Sequence, residues 1–288
     1  MTGTRIDLHM HSRVSDGTDT PEELLENVKK AGMDIFSLTD HDAAKGCVEI
    51  RSLLREGDPV FIPGVEFSCK DEKGKYHILG FGYEPGSGSI EKVVNRGHAF
   101  RMKKVLGRIE FLKERFGFIF PQEEIDELLA MDNPGKPHIG NLMVKHGYAE
   151  NRRQAIQEFI DQLHFKAEYF RPEDVITGIL DAGGIPVLAH PTYGSGDQLI
   201  IGDELDGRLR RLKEYGIKGI EAFYSGFTEK MIEELLDYAE RMDLYVTAGS
   251  DYHGTNKLIA IGDTGLDSAS EYPAQLERFL RDVKKYNT

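Results

Sequence analysis

The sequence predicts an α/β fold on a largely parallel sheet, and three observations carry that expectation. Short β-branched or aromatic runs alternate with longer amphipathic ones, the pattern of successive βα units. The short runs number about seven, which suits a closed barrel as well as an open sheet. With 288 residues, 40% of them hydrophobic, the chain is long enough for one large domain, or a domain with an insertion, around a substantial core.

The first strand is expected over residues 6–10. The helix after it is marked at both ends: Thr20 can cap, Pro21 takes the first helical position, and Glu22 and Glu23 complement the dipole. Leu24, Leu25 and Val28 give it a buried stripe and Gly32 stops it. A strand over 35–39 leads to a helix over 43–55 that closes at Gly57, and strands follow over 60–67 and 76–83. Between Pro85 and Pro172 the alternation stops; GSGS at 86–89 opens a series of helical segments with no convincing strand. The pattern therefore predicts a body made of 1–85 and 172–288, interrupted by a helical insertion over 86–171. A helix over 174–182 and strands over 186–189, 219–223 and 245–248 resume the alternation. A last helix over 273–286 is expected to pack Leu276, Phe279, Leu280 and Val283 on the body.

Charge excludes some function classes. Lys plus Arg number 36 against 49 Asp plus Glu, a net −13, which argues against a protein that coats long duplex nucleic acid. Apolar stretches are broken by charge well short of the ~18 residues that span a bilayer, so no membrane segment is expected. MTGTRIDLHMHS lacks the basic-then-apolar pattern of a signal peptide, and Cys47 and Cys69 form no CxxC; a cytoplasmic setting is expected, with both cysteines as small buried hydrophobes.

The strongest chemical signal lies at the strand ends. Six of the ten histidines, His9, His11, His41, His77, His190 and His253, fall at the end of an expected strand or in the turn beyond, as do Asp16, Asp40, Glu66 and Asp251. In parallel α/β folds that rim is where side chains from distant positions converge. One histidine there is more often a hydrogen-bonded rim residue than a ligand; six at equivalent places are not readily explained that way. His9 and His11, one residue apart on a strand, point to the same face and can chelate one ion. Clustered carboxylates cannot all stay ionised without cations, and divalent metal removes that conflict. So many nitrogen and oxygen donors imply several ions with open positions, and Mn, Fe or Zn all suit a set without thiolates. The resulting positive floor suits a phosphate.

In chain order, DLHMHS followed by SDG, then SLTDHD, GVEFS, YHILGFG, VLAHP and GSDYHG resemble the motifs of the PHP (polymerase and histidinol phosphatase) superfamily. The resemblance covers about 1–85 and 172–260 and implies a distorted (β/α)7 barrel with a site for three divalent metal ions. By the resemblance, His9, His11, Glu66 and Asp251 bind the first ion, Glu66 bridges to a second held by His77 and His190, and Asp16, His41 and His253 hold the third. Asp16, His41, His190 and His253 are the expected catalytic members. Asp16 stands where some members have histidine, and Asp40 is expected to orient a neighbouring histidine rather than bind metal.

The insertion resembles the branch of small bacterial phosphoesterases that hydrolyse nucleoside 3′,5′-bisphosphates, some of which degrade short RNA from the 5′ end. Arg101, His138, Lys166 and Tyr169 resemble that branch's substrate-facing residues, whereas Thr192 and Tyr193 stand where many relatives have a basic residue. Arg101 belongs to a basic run with Arg96, His98, Lys103, Lys104 and Arg108, which could clamp a second phosphate or simply form a solvated face. His98, His146 and His164 read as surface histidines. The expected activity is metal-assisted phosphoester hydrolysis on a nucleotide or short oligonucleotide, with no obligate protein partner evident. Histidinol-phosphate phosphatase is the alternative enzyme, and a non-catalytic PHP binding module, which would show gaps among the ligands, the alternative class.

Overall fold

In a computed structural model, residues 3–131, 133–163, 169–194 and 198–286 are described. Strands β1 (Ile6–Asp7), β2 (Ile35–Leu38), β3 (Val60–Asp71), β4 (Gly74–Phe81), β5 (Ile185–Leu188), β6 (Gly219–Tyr224) and β7 (Tyr245–Gly249) are hydrogen-bonded in sequence order. The sheet then closes on itself, because Leu8 N donates to Ala248 O at 2.9 Å and Asp251 N to His9 O at 2.8 Å. The result is the α/β barrel of seven strands. The expected first strand is cut to two residues: beyond Asp7 the chain pairs with β7 and its extension and meets the extension of β2 again only at Met10, whose carbonyl accepts from Thr39 N at 2.8 Å.

All neighbours are parallel except β4, which is antiparallel to both β3 and β5. The Asp71 carboxylate accepts from the backbone N–H groups of Lys73 and Gly74 and so turns β3 tightly into β4. This reversal matters for function. A residue early in β4 lies beside the late part of β3, so His77 reaches the rim from near the start of its strand rather than from its end.

Helices α1 (Pro21–Lys30) and α2 (Lys45–Leu53) cover the first strands. Thr20 and Glu23 form the reciprocal cap of α1, each side chain accepting from the other's backbone N–H. Beyond the insertion, α7 (Pro172–Asp181), α8 (Gly202–Glu214), α9 (Glu229–Arg241) and α10 (Ala274–Asp282) complete the outer layer. Helix α10 is shorter than expected: Val283 turns extended, and Tyr286 exchanges both backbone hydrogen bonds with Phe61 at the edge of β3.

Residues 88–162 contain α3 (Gly88–Phe116), α4 (Gln122–Leu129), α5 (Lys136–Lys145) and α6 (Arg152–Gln154), which runs on as a π turn (Ala155–Phe159) and a 3-10 turn (Ile160–Gln162). These elements have a core of their own, including Val105, Leu112, Phe120, Ile139, Met143 and Ile160. The segment is anchored in the barrel core at its start through Ile90, and the chain returns to that core beyond it at Phe170. Among the described residues, no helix is long and apolar enough to cross a membrane.

Candidate metal centre

The nine residues expected as ligands converge at one end of the barrel. They form three groups, His9–His11–Asp251, Glu66–His77–His190 and His11–Asp16–His41–His253, and in each group one candidate ligand atom per residue lies within 4.8 Å of the others. Glu66 is the centre. Its Oε2 is 3.4 Å from His9 Nε2, 3.3 Å from His11 Nε2 and 3.0 Å from His41 Nδ1, while its Oε1 is 2.9 Å from His77 Nδ1 and 3.4 Å from His190 Nε2. Asp251 Oδ1 stands 3.6 Å from His9 Nε2 and 3.3 Å from His11 Nε2.

These spacings fit a shared ion. Two ligands each about 2.1 Å from one metal are about 3.0 Å apart at a right angle and about 3.4 Å apart at the tetrahedral angle. Several of these donors are also left without other partners: His9 Nε2, His11 Nε2, Asp16 Oδ1, His41 Nδ1 and Glu66 Oε1 are buried and make no hydrogen bond among the described residues. Orphaned polar atoms of that kind are costly unless something binds them. The donor set of imidazoles and carboxylates suits a divalent transition metal.

Electrostatics point the same way. Burial alone would raise the Glu66 carboxyl, but His41, His77 and His9 more than offset it and hold the group well below the usual carboxylate range. Asp251 is likewise held down against burial by His9 and Lys257, and Asp16 by His41 and His253. Burial opposes a charge on His11, yet Asp251 and Glu66 push it up to about 9, while burial drives His41 well down. Ionised carboxylates thus face imidazoles as close as 4.1 Å between ring centroids, which cannot all be protonated together.

The sequence reading missed the groups that orient this cluster. Glu221 Oε1 accepts from His9 Nδ1 at 2.9 Å, which fixes the tautomer and turns Nε2 inward, and Oε2 accepts from His190 N at 2.8 Å. Its signal was available, since Glu221 is the only charged residue in the apolar strand GIEAFY. Gly249 is required beside it, because a Cβ there would lie 2.2 Å from His9 Cβ and 2.6 Å from Glu221 Oε1. Tyr224 donates to Asp251 Oδ2 at 2.8 Å, and Lys257 pairs with the same oxygen. Among the described residues, Asp40 hydrogen-bonds to no imidazole. It accepts from Ser12 N, Ser12 Oγ and Ser15 Oγ, and Ser15 Oγ stands 3.5 Å from His11 Nδ1, whose charge also acts on Asp40 directly.

The centre opens into two joined cavities. One, of about 260 Å³, lies over Asp16, His41, Glu66, His77, His190 and His253. The other, of about 750 Å³, shares Asp16, His41 and His77 as its wall and runs between barrel and insertion. Lys70, Lys75, Arg101, Lys104, Arg108 and Lys136 line this second chamber, against Asp16, Asp42 and Asp161 among the described residues. Lys136 pairs with Asp161, and Arg101 places Nε and Nη2 on Asp42 Oδ2 at 3.2 and 2.5 Å. Lys104 Nζ sits 3.7 Å above the Tyr169 ring, and burial lowers it from 10.5 to about 8. His138 lines neither cavity; its Nδ1 accepts from Gly135 N at 3.1 Å and caps α5. Lys166 and His164 lie outside the described residues.

A family model described as the PHP domain matches residues 7–175. The chain belongs to the PHP family. A phosphoribosyl 1,2-cyclic phosphate 1,2-diphosphodiesterase from Eggerthella lenta is 31% identical to this PHP chain over 86% of its length and 94% of the relative's. A 3′,5′-nucleoside bisphosphate phosphatase from Chromobacterium violaceum is 28% identical over 86% and 87%, and a 5′-3′ exoribonuclease from Haemophilus influenzae is 28% identical over 86% and 90%. A Bifidobacterium adolescentis structure, provisionally described as a metal-dependent phosphoesterase, superposes with a TM-score of 0.80 at 27% identity, covering 97% of this chain and 96% of that one. This PHP protein is a metal-dependent phosphoric ester hydrolase, the class these relatives share.

Proposed function

We propose that this PHP phosphoesterase holds three divalent ions and hydrolyses phosphate esters of nucleotides, with nucleoside 3′,5′-bisphosphates and short 5′-phosphorylated oligonucleotides as substrates. The observation that carries the reading is the cationic chamber beside the metal centre, in a chain whose net charge is −13. A cavity lined by more cations than carboxylates is costly when empty and becomes favourable when an anion enters. One phosphate over the metal groups and a second anionic group in the chamber, on a single substrate, satisfies both regions.

In this reading His9, His11, Glu66 and Asp251 hold the first ion, Glu66, His77 and His190 the second, and Asp16, His41 and His253 the third. Bound ions supply charge neutralisation at the phosphoryl oxygens and acidify water from ~15.7 toward ~7. The water oxygen would form a bond to phosphorus as it gives up a proton, the bond from phosphorus to the ester oxygen would break, and that oxygen would take up a proton in its place. Of the imidazoles, His77 and His190 have the most exposed side chains, at 35% and 17%, so the ion they would hold is open to the cavity. Lys104 and Arg101, on one face of α3, are the chamber's candidate anion contacts, with Tyr169 as the ring beneath Lys104. His138 contributes by capping α5 at the chamber's edge.

Product identification tests this. Mn²⁺-loaded protein is given adenosine 3′,5′-bisphosphate, a short 5′-phosphorylated RNA, a ribose 1,2-cyclic phosphate and histidinol phosphate in parallel. AMP from the bisphosphate, or mononucleotides from the RNA, is the expected result. Turnover confined to histidinol phosphate or to the cyclic phosphate would overturn the nucleotide reading.

A further inference from the structure

The three ligand groups differ in what supports them. The orienting partners of the groups around Asp251 and Glu66 belong to the barrel: Glu221 on His9, Tyr224 and Lys257 on Asp251, and Ser68 Oγ at 3.3 Å from His77 Nε2. The group His11–Asp16–His41–His253 draws Asp16 and His253 from loops beyond β1 and β7; Asp251 starts the same β7 loop, but its backbone N–H is tied to His9 O at 2.8 Å. Those loops are gripped from the insertion.

Arg152, in α6, donates from Nη1 to Asn256 Oδ1 and from Nη2 to Asn256 O at 3.0 Å. Asn256 in turn donates from Nδ2 to Asp16 O at 2.7 Å and from its backbone N–H to His253 O at 3.3 Å. One guanidinium therefore steadies, through a single residue, the backbone of both loop ligands: the Asn256 side-chain amide reaches Asp16 and its backbone N–H reaches His253. On the opposite side Arg101, in α3, holds Asp42, the residue after His41, whose backbone N–H donates to Glu66 O at 2.9 Å. Asp42 is kept in a left-handed conformation, φ 49°, which an aspartate adopts at some cost and which the Arg101 pair helps to stabilise.

Both contacts are fitted by small residues. A Cβ at Gly97, one turn before Arg101 on the same helix face, would stand 3.2 Å from Asp42 Cβ and 2.8 Å from the Phe170 ring. A Cβ at Gly140 in α5 would meet Arg152 Cγ at 3.0 Å. The insertion is thus shaped to bring one arginine to each side of the same ligand group.

We infer that Arg152 and Arg101 are positioning residues that build the third metal site from the insertion, so that this ion, unlike the other two, is held only when the insertion is docked on the barrel. The inference rests on the three-ion reading above. It has a functional corollary: an anion that enters the chamber and steadies α3 against the barrel strengthens binding of the third ion, and by reciprocity that ion strengthens anion binding.

Metal stoichiometry separates this from a general loss of structure. Metal-free full-length protein is titrated with Mn²⁺ while free Mn²⁺ is followed by electron paramagnetic resonance, for the wild type, Arg152→Met, Arg101→Met and Asn256→Ala. The expected result is three bound ions in the wild type; in each variant two bind with unchanged affinity and the third binds at least about tenfold more weakly. Arg152→Lys, which keeps the charge but cannot span both acceptors of Asn256, should restore only part of the loss. Melting curves of the metal-free proteins should coincide within a few degrees, and Asn256→Ala, which leaves the insertion's own contacts intact, gives the same readout should Arg152→Met fail to fold. Fewer than three ions in the wild type would overturn the three-ion reading and this inference together. Three in the wild type with an unchanged third affinity in the variants, or loss of all sites at once, would overturn the inference alone.

Discussion

The metal centre and the basic chamber share a wall at Asp16, His41 and His77, yet they are built on opposite principles. In the centre, buried carboxylates and imidazoles of mixed charge are fixed by strand ends and by partners such as Glu221, and their inward atoms lack partners of their own. In the chamber, side chains of one sign project from α3, the β3–β4 hairpin and the start of α5, and part of their charge is already answered by Asp42 and Asp161. One region is incomplete without cations and the other is relieved by an anion. An anion that also binds cations would join them, which is the ground for proposing a phosphate ester with a second negative group as the substrate.

The comparison predicts that breaking the centre abolishes chemistry whatever the substrate. His9→Ala or Asp251→Ala should lower kcat/KM by at least about a thousandfold and release metal, the several kcal/mol that metal catalysis supplies being lost outright. Steady-state kinetics with elemental analysis of the purified variant checks both. Retention of full turnover by His9→Ala would remove His9 from the ligand set.

Next in size is Glu221→Gln, which keeps the shape but leaves an uncharged acceptor for His9 Nδ1. Partners behind a ligating histidine are worth roughly 10–100-fold in metal affinity or activity. The loss should be recovered at higher Mn²⁺ concentration, which a missing first ligand would not allow. A variant as dead as His9→Ala at saturating metal would mean that Glu221 shapes the barrel rather than the ion site.

That contrast between His9 and Glu221 also marks how far the sequence could be read. The alternation of strand and helix patterns made the α/β class and the strands legible, because period-two and period-3.6 burial are written locally in the chain, whereas closure into a barrel was expected only from the resemblance. The rim histidines stood out because ionisable residues recur where strands end. Glu221 stood out as a lone charge in an apolar strand, but its role was not legible, because only the closing of β1 against β7 brings it under His9. The reversal of β4 was hidden too: the 60–67 and 76–83 runs look like any two strands, and it is the Asp71 turn that sends the second one back and lifts His77 to the rim. The grip of Arg152 on Asn256 spans 104 residues and depends on how the insertion folds, which no local pattern encodes.

On the chamber side the effects should be smaller and should depend on the substrate. Lys104→Met removes one charge-assisted contact, about 1.5–3 kcal/mol when fully made, and should lower kcat/KM roughly 10–100-fold for adenosine 3′,5′-bisphosphate. A substrate with a single phosphate, such as p-nitrophenyl phosphate, leaves the chamber empty and should lose less than about threefold. Equal losses on both would place Lys104 in the service of the centre and dissolve the division of labour between the two regions.

The smallest effect is a pH dependence peculiar to the chamber. Burial lowers Lys104 from its ordinary 10.5 to about 8, with Arg101, Arg108 and Lys75 adding to the shift and Asp42 opposing it. Below about pH 8 the folded protein therefore carries an ammonium there, and above it the group is neutral while the unfolded chain still binds the proton up to its ordinary 10.5. Between these values the unfolded state binds more protons, so the folded state gains stability as pH rises through the window, and Lys104→Met should flatten that gain. Anion binding runs the other way, weakening as pH passes about 8 because the cation is lost. Sulfate is the probe of choice, since its own charge is constant over this range, and metal-free protein keeps water on the ions from titrating in the same interval. Sulfate affinity that falls between about pH 7 and pH 9 in the wild type and is already low and flat in Lys104→Met would assign the limb to this lysine; the same fall in both proteins would assign it to another group.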